Sequence, residues 1–549
     1  MPSGIHAAAR SAVIRRIAAA CLLACIAPLQ AADFRLAALF SDHMVLQREK
    51  PVPVWGWAGP GEQVTVEFAG QSKTTTAGAD GKWSLDLDAM PASSEPRTME
   101  LRSQQPDRSI TVRDVLVGEV WLGSGQSNMA WMVSQSQNPD EEQAAANLPL
   151  IRMFTDTSKP GLTPQSEGRG QWAVCSPATV GKFSATLFFF GREIHRELGV
   201  PVGLINSSVG GTLIQSWIAP EAQLADPALK PSAMDIARRH ANFDPAKAAA
   251  HYQKTLAQWQ EAADAAKAAG NKRPPRKPHD PVYFHERKGG LGGLFNGKIS
   301  PWIPCALRGI LWYQGEGNAR GDMPRVYQRQ LELLVGDWRA RWGEELPFAW
   351  VQLPNLAGDD NDASWMLVRE ATLKALRLPR TGMAVTVDIG DPKDIHPKNK
   401  QDVGRRLSLW ALGEVYGREV PATSGPLPAG HEIRGSEMVV SFKHTAGGLR
   451  AKDGAAPKGF LIAGPDHQWL PADARIDGDK VVLSNSAVAK PVAVRYAWAR
   501  NPDANLINSA GLPASPFRTD DFEIPAFPDA GVNRKKPARP QTKAAEAVR

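Results

Sequence analysis

Val120-Trp121-Leu122-Gly123-Ser124-Gly125-Gln126-Ser127-Asn128-Met129 carries an apolar run, Val115 to Leu122, into a Gly-Ser-Gly turn. The run reads as a short buried strand, and the turn delivers Ser127 at the start of the next element. The ends of parallel strands are where open α/β sheets hold their ligands. The glycines permit a sharp turn and a close approach of backbone to substrate. If a helix follows, the N–H of Ser127 or Asn128 has no intrahelical acceptor and is free to face a developing oxyanion. A Gly-Ser turn that merely caps a helix is the competing reading, so the decision rests on the neighbouring segments.

Downstream of Asp114, apolar runs at Ile151 to Phe154, Val202 to Val209, Gly309 to Tyr313, Phe348 to Leu353 and Met383 to Val387 read as strands. Between them lie helical patterns at Thr186 to Leu198, Arg325 to Arg341 and Trp365 to Leu376. Strands alternating with helices predict a parallel sheet flanked by helices, an α/β domain over residues 114–416. An Ala-, Lys- and Gln-rich helical insertion is expected at about 235–290. Upstream, residues 33–113 alternate in short runs such as Val52 to Trp57, Gln63 to Phe68 and Lys82 to Leu87, which predicts a small antiparallel β-sandwich. Ser93 to Asp107 reads as a polar loop. Alternation returns in residues 417–525, at Glu437 to Phe442, Gly459 to Ala463, Lys480 to Leu483 and Val492 to Ala497, as a second β-rich unit.

Three further strand ends carry chemistry-bearing residues. Asn206-Ser207-Ser208-Val209-Gly210-Gly211-Thr212 places a Gly-Gly pair after an apolar strand, as a tight turn or as a source of a free backbone N–H. Leu311 to Asn318 ends a strand in Gln314, Glu316 and Asn318, which share one face if the chain stays extended. Val387 to Pro397 sets His396 among Asp388, Asp391 and Asp394 ahead of a helix expected at about Asn399 to Val415. A carboxylate on one imidazole nitrogen fixes the tautomer and leaves the other nitrogen as a base. Together these loops supply a nucleophile, oxyanion donors and a base.

The blocks Gly125-Gln126-Ser127-Asn128-Met129, Gly210-Gly211-Thr212, Trp312-Tyr313-Gln314-Gly315-Glu316 and Asp394-Ile395-His396-Pro397 resemble the sialate O-acetylesterase group of SGNH (GDSL-like) hydrolases. That group includes bacterial acetylxylan esterases, and the likeness runs from about Asp33 to Pro525. The resemblance implies an SGNH-like sheet between two β-units, with Ser127 as nucleophile and His396 as general base. It implies oxyanion donors at Gly211 and at the Ser127 N–H, with a third from the Gln314 amide or, as a substitute, Asn318. Gly210 supports that turn, and Glu316 orients its loop. The family pattern Asp-x-x-His is broken here because position 393 is Lys, which leaves Asp394, Asp391 or a Ser-His dyad helped by a backbone carbonyl as alternatives for orienting the base. No cofactor is implied. The expected partner is an O-acetylated carbohydrate, with sialic acid and xylan both open. A catalytically inactive carbohydrate-binding protein is the alternative from another class.

Composition agrees with such a protein. The chain has 549 residues, 43% hydrophobic and 22% charged, in the range of ordinary globular domains. Its formal charge of +7 is concentrated at the two ends, in Arg10, Arg15 and Arg16 and in the tail from Asn533 to Arg549. No basic stripe interleaves with aromatics, which argues against nucleic-acid binding. Residues 1–32 read as a secretory signal, with basic residues before the apolar run Ile17 to Ile26. An exported enzyme, periplasmic or secreted, is therefore expected, with a lipoprotein anchor at Cys25 as the less favoured variant. The run is too short for a membrane span. Residues 526–549 read as a disordered basic tail. Cys175 and Cys305 allow one disulfide, and no His or Cys cluster has metal-ligand spacing. Trp217 and Trp312 are either sugar-stacking surfaces or core.

Overall fold

The computed structural model describes residues 34–104, 108–270, 275–359 and 362–524. The expected signal segment and basic tail lie outside the described residues. The central strands are β1 (Ser109–Gly125), β2 (Ile151–Asp156), β3 (Gly170–Val174), β4 (Val202–Ser208), β5 (Gly309–Tyr313), β6 (Phe348–Val351) and β7 (Thr381–Ala384). They lie in the order β3-β2-β4-β1-β5-β6-β7. Every pair is parallel except β3 with β2. The fold is thus the expected α/β layer, with one antiparallel strand at its edge.

Side-chain alternation along β1 and β5 assigns the two faces of this sheet. Val120, Leu122, Ile310 and Trp312 pack on one face with Tyr327, Leu331, Leu334 and Trp338 of helix α3 (Pro324–Trp342). Trp121, Leu311 and Tyr313 pack on the other with α2 (Ala185–Leu198) and α5 (Lys400–Trp410). Helix α1 (Ser127–Ala130) follows β1 directly, and α4 (Ser364–Ala375) lies between β6 and β7. Trp217 and Trp312 are 0% and 1% exposed, so both are core rather than sugar-stacking surfaces. Cys175 and Cys305 are both free and buried. Burial pushes each thiol up to about 12, which makes them inert at neutral pH.

Two boundaries differ from the sequence reading. The strand placed at Val115 to Leu122 is 17 residues long. Its first half pairs with the amino-terminal unit and its second half is central in the α/β sheet, so one strand runs through the expected junction at Asp114. Ser93 to Asp107, read as a loop, contains an 11-residue strand, Ser93–Ser103. Only Met99 and Leu101 of that strand face the core, too few inward positions to register as apolar alternation. The amino-terminal unit is also not purely antiparallel, since Val45–Gln47 runs parallel to β1.

The insertion is helical, at Lys230–Ala241, Pro245–Ala268 and Pro281–Lys288. The carboxy-terminal unit contains two four-stranded antiparallel sheets around Met438, Val440, Phe460, Ile462, Val481 and Val494. Arg369 of α4 joins this unit to the α/β layer. It is fully buried and donates from Nε to the carbonyl of Leu353 at 2.9 Å and from Nη2 to that of Pro354 at 2.7 Å. Across the junction it reaches the carbonyls of Ala499 at 2.8 Å and Arg500 at 3.1 Å. Arg369→Met leaves these buried acceptors without their donor, and each such loss is expensive. The substitution is expected to destabilise the protein by about 3 kcal/mol, read as a lowered midpoint of urea unfolding. No helix of the described residues is long and apolar enough to cross a membrane.

Candidate active site

The carboxyl ends of β1, β4 and β5 and the loop after β7 converge on Ser127. β1 turns through Gly125, where φ is +134° and an added Cβ would lie 2.2 Å from the Tyr313 carbonyl oxygen. Only glycine fits there, and the Gln126 N–H uses the contact by donating to the same carbonyl at 2.9 Å. Gln126 is extended and α1 begins at Ser127, so the hydroxyl projects from the first helical residue. A Cβ on Gly210 would come within 3.4 Å of the Ser127 Cβ, which places the Gly-Gly turn against the nucleophile candidate. Gly211 has φ +70° and open space around it.

His396 Nε2 lies 2.8 Å from Ser127 Oγ, although 269 positions separate the two residues. The imidazole stacks on Trp131, with ring centroids 4.7 Å apart and planes 10° from parallel. The Trp131 indole is itself held by donating to the Gln135 carbonyl at 2.9 Å. On the other ring nitrogen, Nδ1 is 3.6 Å from Asp394 Oδ1, beyond hydrogen-bond range. That oxygen instead accepts the His396 backbone N–H at 2.9 Å. Asp391 accepts the Lys393 N–H at 2.8 Å and so is turned into its own loop. Asp388, the third acid of the segment, forms a two-pronged pair with Arg406 of α5 at 2.6 and 2.8 Å. Burial lowers the His396 pKa, with Asp394 opposing that shift and Lys400 reinforcing it.

Gln314, Asn318 and Glu316 sit beneath this pair, as members of a buried network. The Gln314 amide nitrogen faces three acceptors, Asn318 Oδ1 at 2.8 Å, the Thr212 carbonyl at 3.1 Å and Gln126 Oε1 at 3.2 Å. Its oxygen accepts the Tyr327 hydroxyl at 2.8 Å. Asn318 accepts the Ile214 N–H and donates to Gln215. These amides therefore tie the β1, β4 and β5 turns to one another. Glu316 is buried and accepts from Asn128 Nδ2, and burial raises its pKa.

Asn128, Trp131 and Lys400 also belong to the site and do not stand out in the sequence. Asn128 adjoins the candidate serine, which was the available signal. Lys400, in the first turn of a helix, has the profile of a solvent-facing residue. Among the described residues, no three His, Cys, Asp or Glu side chains group as a cation site.

Residues 298–410, which span β5 to α5 and include His396, match the family model described as carbohydrate esterase, sialic acid-specific acetylesterase. Two curated relatives are alike over nearly their whole length. The sialate O-acetylesterase of Mus musculus is 28% identical, over 88% of this chain and 94% of its own. That of Homo sapiens is 27% identical, over 88% and 92%. The solved structure of a carbohydrate acetylesterase from Xanthomonas citri is 36% identical, with a TM-score of 0.74 over 89% of this chain and 100% of the other. The serine turn, the histidine loop and these full-length likenesses agree: the chain belongs to the sialate O-acetylesterase group of carbohydrate esterases and is a carboxylic ester hydrolase.

Proposed function

We propose that this esterase removes O-acetyl groups from sialic acids through an acyl-enzyme formed on Ser127. The observation that carries the proposal is the 2.8 Å contact between Ser127 Oγ and His396 Nε2. It is the geometry a hydroxyl needs to pass its proton to a base as it attacks. In the first half-reaction Ser127 Oγ bonds to the acetyl carbonyl carbon and His396 accepts the hydroxyl proton. The oxyanion faces the N–H groups of Gly211 and Ser127. Collapse breaks the bond to the sugar oxygen, which leaves with the proton from His396. Water then attacks the acetyl-serine with His396 taking its proton, the bond from the acetyl carbon to Oγ breaks, and His396 returns the proton to Ser127 as acetate departs.

Gln314 and Asn318 hold the oxyanion loops in place, since their amide groups are already engaged by neighbours. Sialic acid is the favoured sugar because the matching family is that of sialic acid-specific acetylesterases and both mammalian relatives are sialate O-acetylesterases. Acetate release from O-acetylated sialic acids set beside acetylated xylooligosaccharides tests the choice. Preference for the xylan substrates overturns the sugar but not the chemistry. A protein inert on both and on p-nitrophenyl acetate, yet retained on a glycan column, overturns the chemistry.

The lowered His396 pKa sets the acid limit of activity. The base must be neutral, so kcat/KM falls as pH drops through that pKa, which lies below the ordinary 6.5. At pH 6.5 the enzyme is therefore expected to keep more than half of its plateau kcat/KM for p-nitrophenyl acetate. A midpoint at or above 6.5 contradicts the assigned environment.

A further inference from the structure

Lys400 is 0% exposed, yet the proposed chemistry does not use it. Burying an ammonium is costly, and an apolar side chain of similar volume would serve the core better. Its contacts explain its presence. Nζ donates to Asn128 Oδ1 at 2.6 Å and to the Pro397 carbonyl at 2.8 Å. Asn128 in turn donates to the Ile395 carbonyl at 3.0 Å and to Glu316. Asn128 is the residue after Ser127, while Ile395 and Pro397 are the residues on either side of His396. One lysine and one asparagine thus clamp both flanks of the histidine to the turn that carries the serine.

We propose that Lys400 is a positioning residue for the esterase reaction, its amine locking the His396 loop onto the Ser127 turn through Asn128 and Pro397. The proposal rests on the reading of Ser127 and His396 as nucleophile and base. It gives the site a substitute for an orienting acid. Among the described residues no carboxylate lies within hydrogen-bond range of Nδ1, Asp394 being 3.6 Å away, but the imidazole is fixed by its backbone on both sides and by Trp131 across its face.

The charged and titratable groups around the clamp set its electrostatics. Glu316 approaches from the β5 turn, Asp394 from the histidine loop, and the Tyr313 ring lies 5.3 Å from Nζ. Burial pulls the Lys400 amine down to about 7 while Glu316 and Asp394 oppose it. When protonated, Lys400 favours the neutral form of His396, the form a base requires.

Lys400→Met removes the charge and both hydrogen bonds. Lys400→Gln removes the charge but keeps a donor. In folded Lys400→Met, kcat for p-nitrophenyl acetate is expected to fall about 10- to 100-fold, since small misplacements of reacting groups cost that much. KM stays near the wild-type value, and the acid limb of kcat/KM moves to higher pH in both variants. A folded variant with wild-type kcat, a loss confined to KM, or an unmoved acid limb overturns the proposal. So does loss of the fold in both variants by circular dichroism, because that assigns Lys400 to stability alone. Ser127→Ala and His396→Ala, assayed alongside, separate the two ideas. If they stay active the serine-histidine reading has failed. If they are inactive while the Lys400 variants match wild type, only the clamp has failed.

Discussion

Ser127→Ala is expected to lower kcat for p-nitrophenyl acetate by about 10⁴- to 10⁶-fold, the range seen when a serine nucleophile is removed. The change deletes one oxygen from a half-buried position, the hydroxyl that meets His396 Nε2. No core contact is lost, so urea unfolding should match wild type and the deficit should be chemical. The Gly210-Gly211 turn and the α1 backbone stay in place, and with them the oxyanion donors proposed above. The remaining activity should therefore exceed that of water alone, as preorganised donors keep part of the rate. Wild type should show a burst of p-nitrophenol and gain the mass of a serine-directed phosphonate, and Ser127→Ala should show neither. Activity within about tenfold of wild type would move the nucleophile elsewhere, since no bystander serine carries more.

Much of the scaffold was legible because its strands are buried on both faces and so appear as unbroken apolar runs. Gly309 to Tyr313 matches β5 residue for residue. Segments with one wet face and few inward side chains, such as Ser93–Ser103, escaped the same test. The indoles of Trp217 and Trp312 could not be placed from sequence, because a tryptophan in a core and one beneath a sugar look alike in a chain. Both lie in the α3 face of the sheet, where Trp312 meets Trp217 and Trp338 edge-on.

Within the site, glycines and a serine at a strand end mark a special turn by themselves. The network beneath that turn does not. Gln126 reads as a linker residue until its Oε1 is seen to accept from both Gln314 and the Gly317 N–H. Lys400 is hidden further, since nothing in Asn399-Lys400-Gln401-Asp402 separates it from a solvated first turn. Its burial follows from how α5 packs on α2 and on the end of β5, which is tertiary information.

His396→Ala is expected to cost as much as the serine variant, about 10⁴- to 10⁶-fold in kcat, because nucleophile and base act as one unit. Ser127→Ala/His396→Ala should then be no slower than either single variant, and that non-additivity is the measurement that couples them. The informative contrast is Asp394→Asn. In a serine protease the acid that bonds the second imidazole nitrogen is worth about 10⁴ in kcat. Here the Asp394 carboxylate is 3.6 Å from Nδ1, half-exposed, and engaged by the histidine's own backbone N–H. An asparagine oxygen can accept that N–H equally well, so the loop should survive. Asp394→Asn is expected to reduce kcat by about tenfold or less, the scale of a lost through-space charge rather than of a wrong tautomer. Because Asp394 raises the His396 pKa, its neutralisation should also move the acid limb of kcat/KM to lower pH. That is the opposite direction from the Lys400 variants. A loss near 10⁴ for Asp394→Asn would instead mean that the carboxylate closes onto Nδ1 when substrate binds, and the site would then be a triad in which the clamp plays a secondary part.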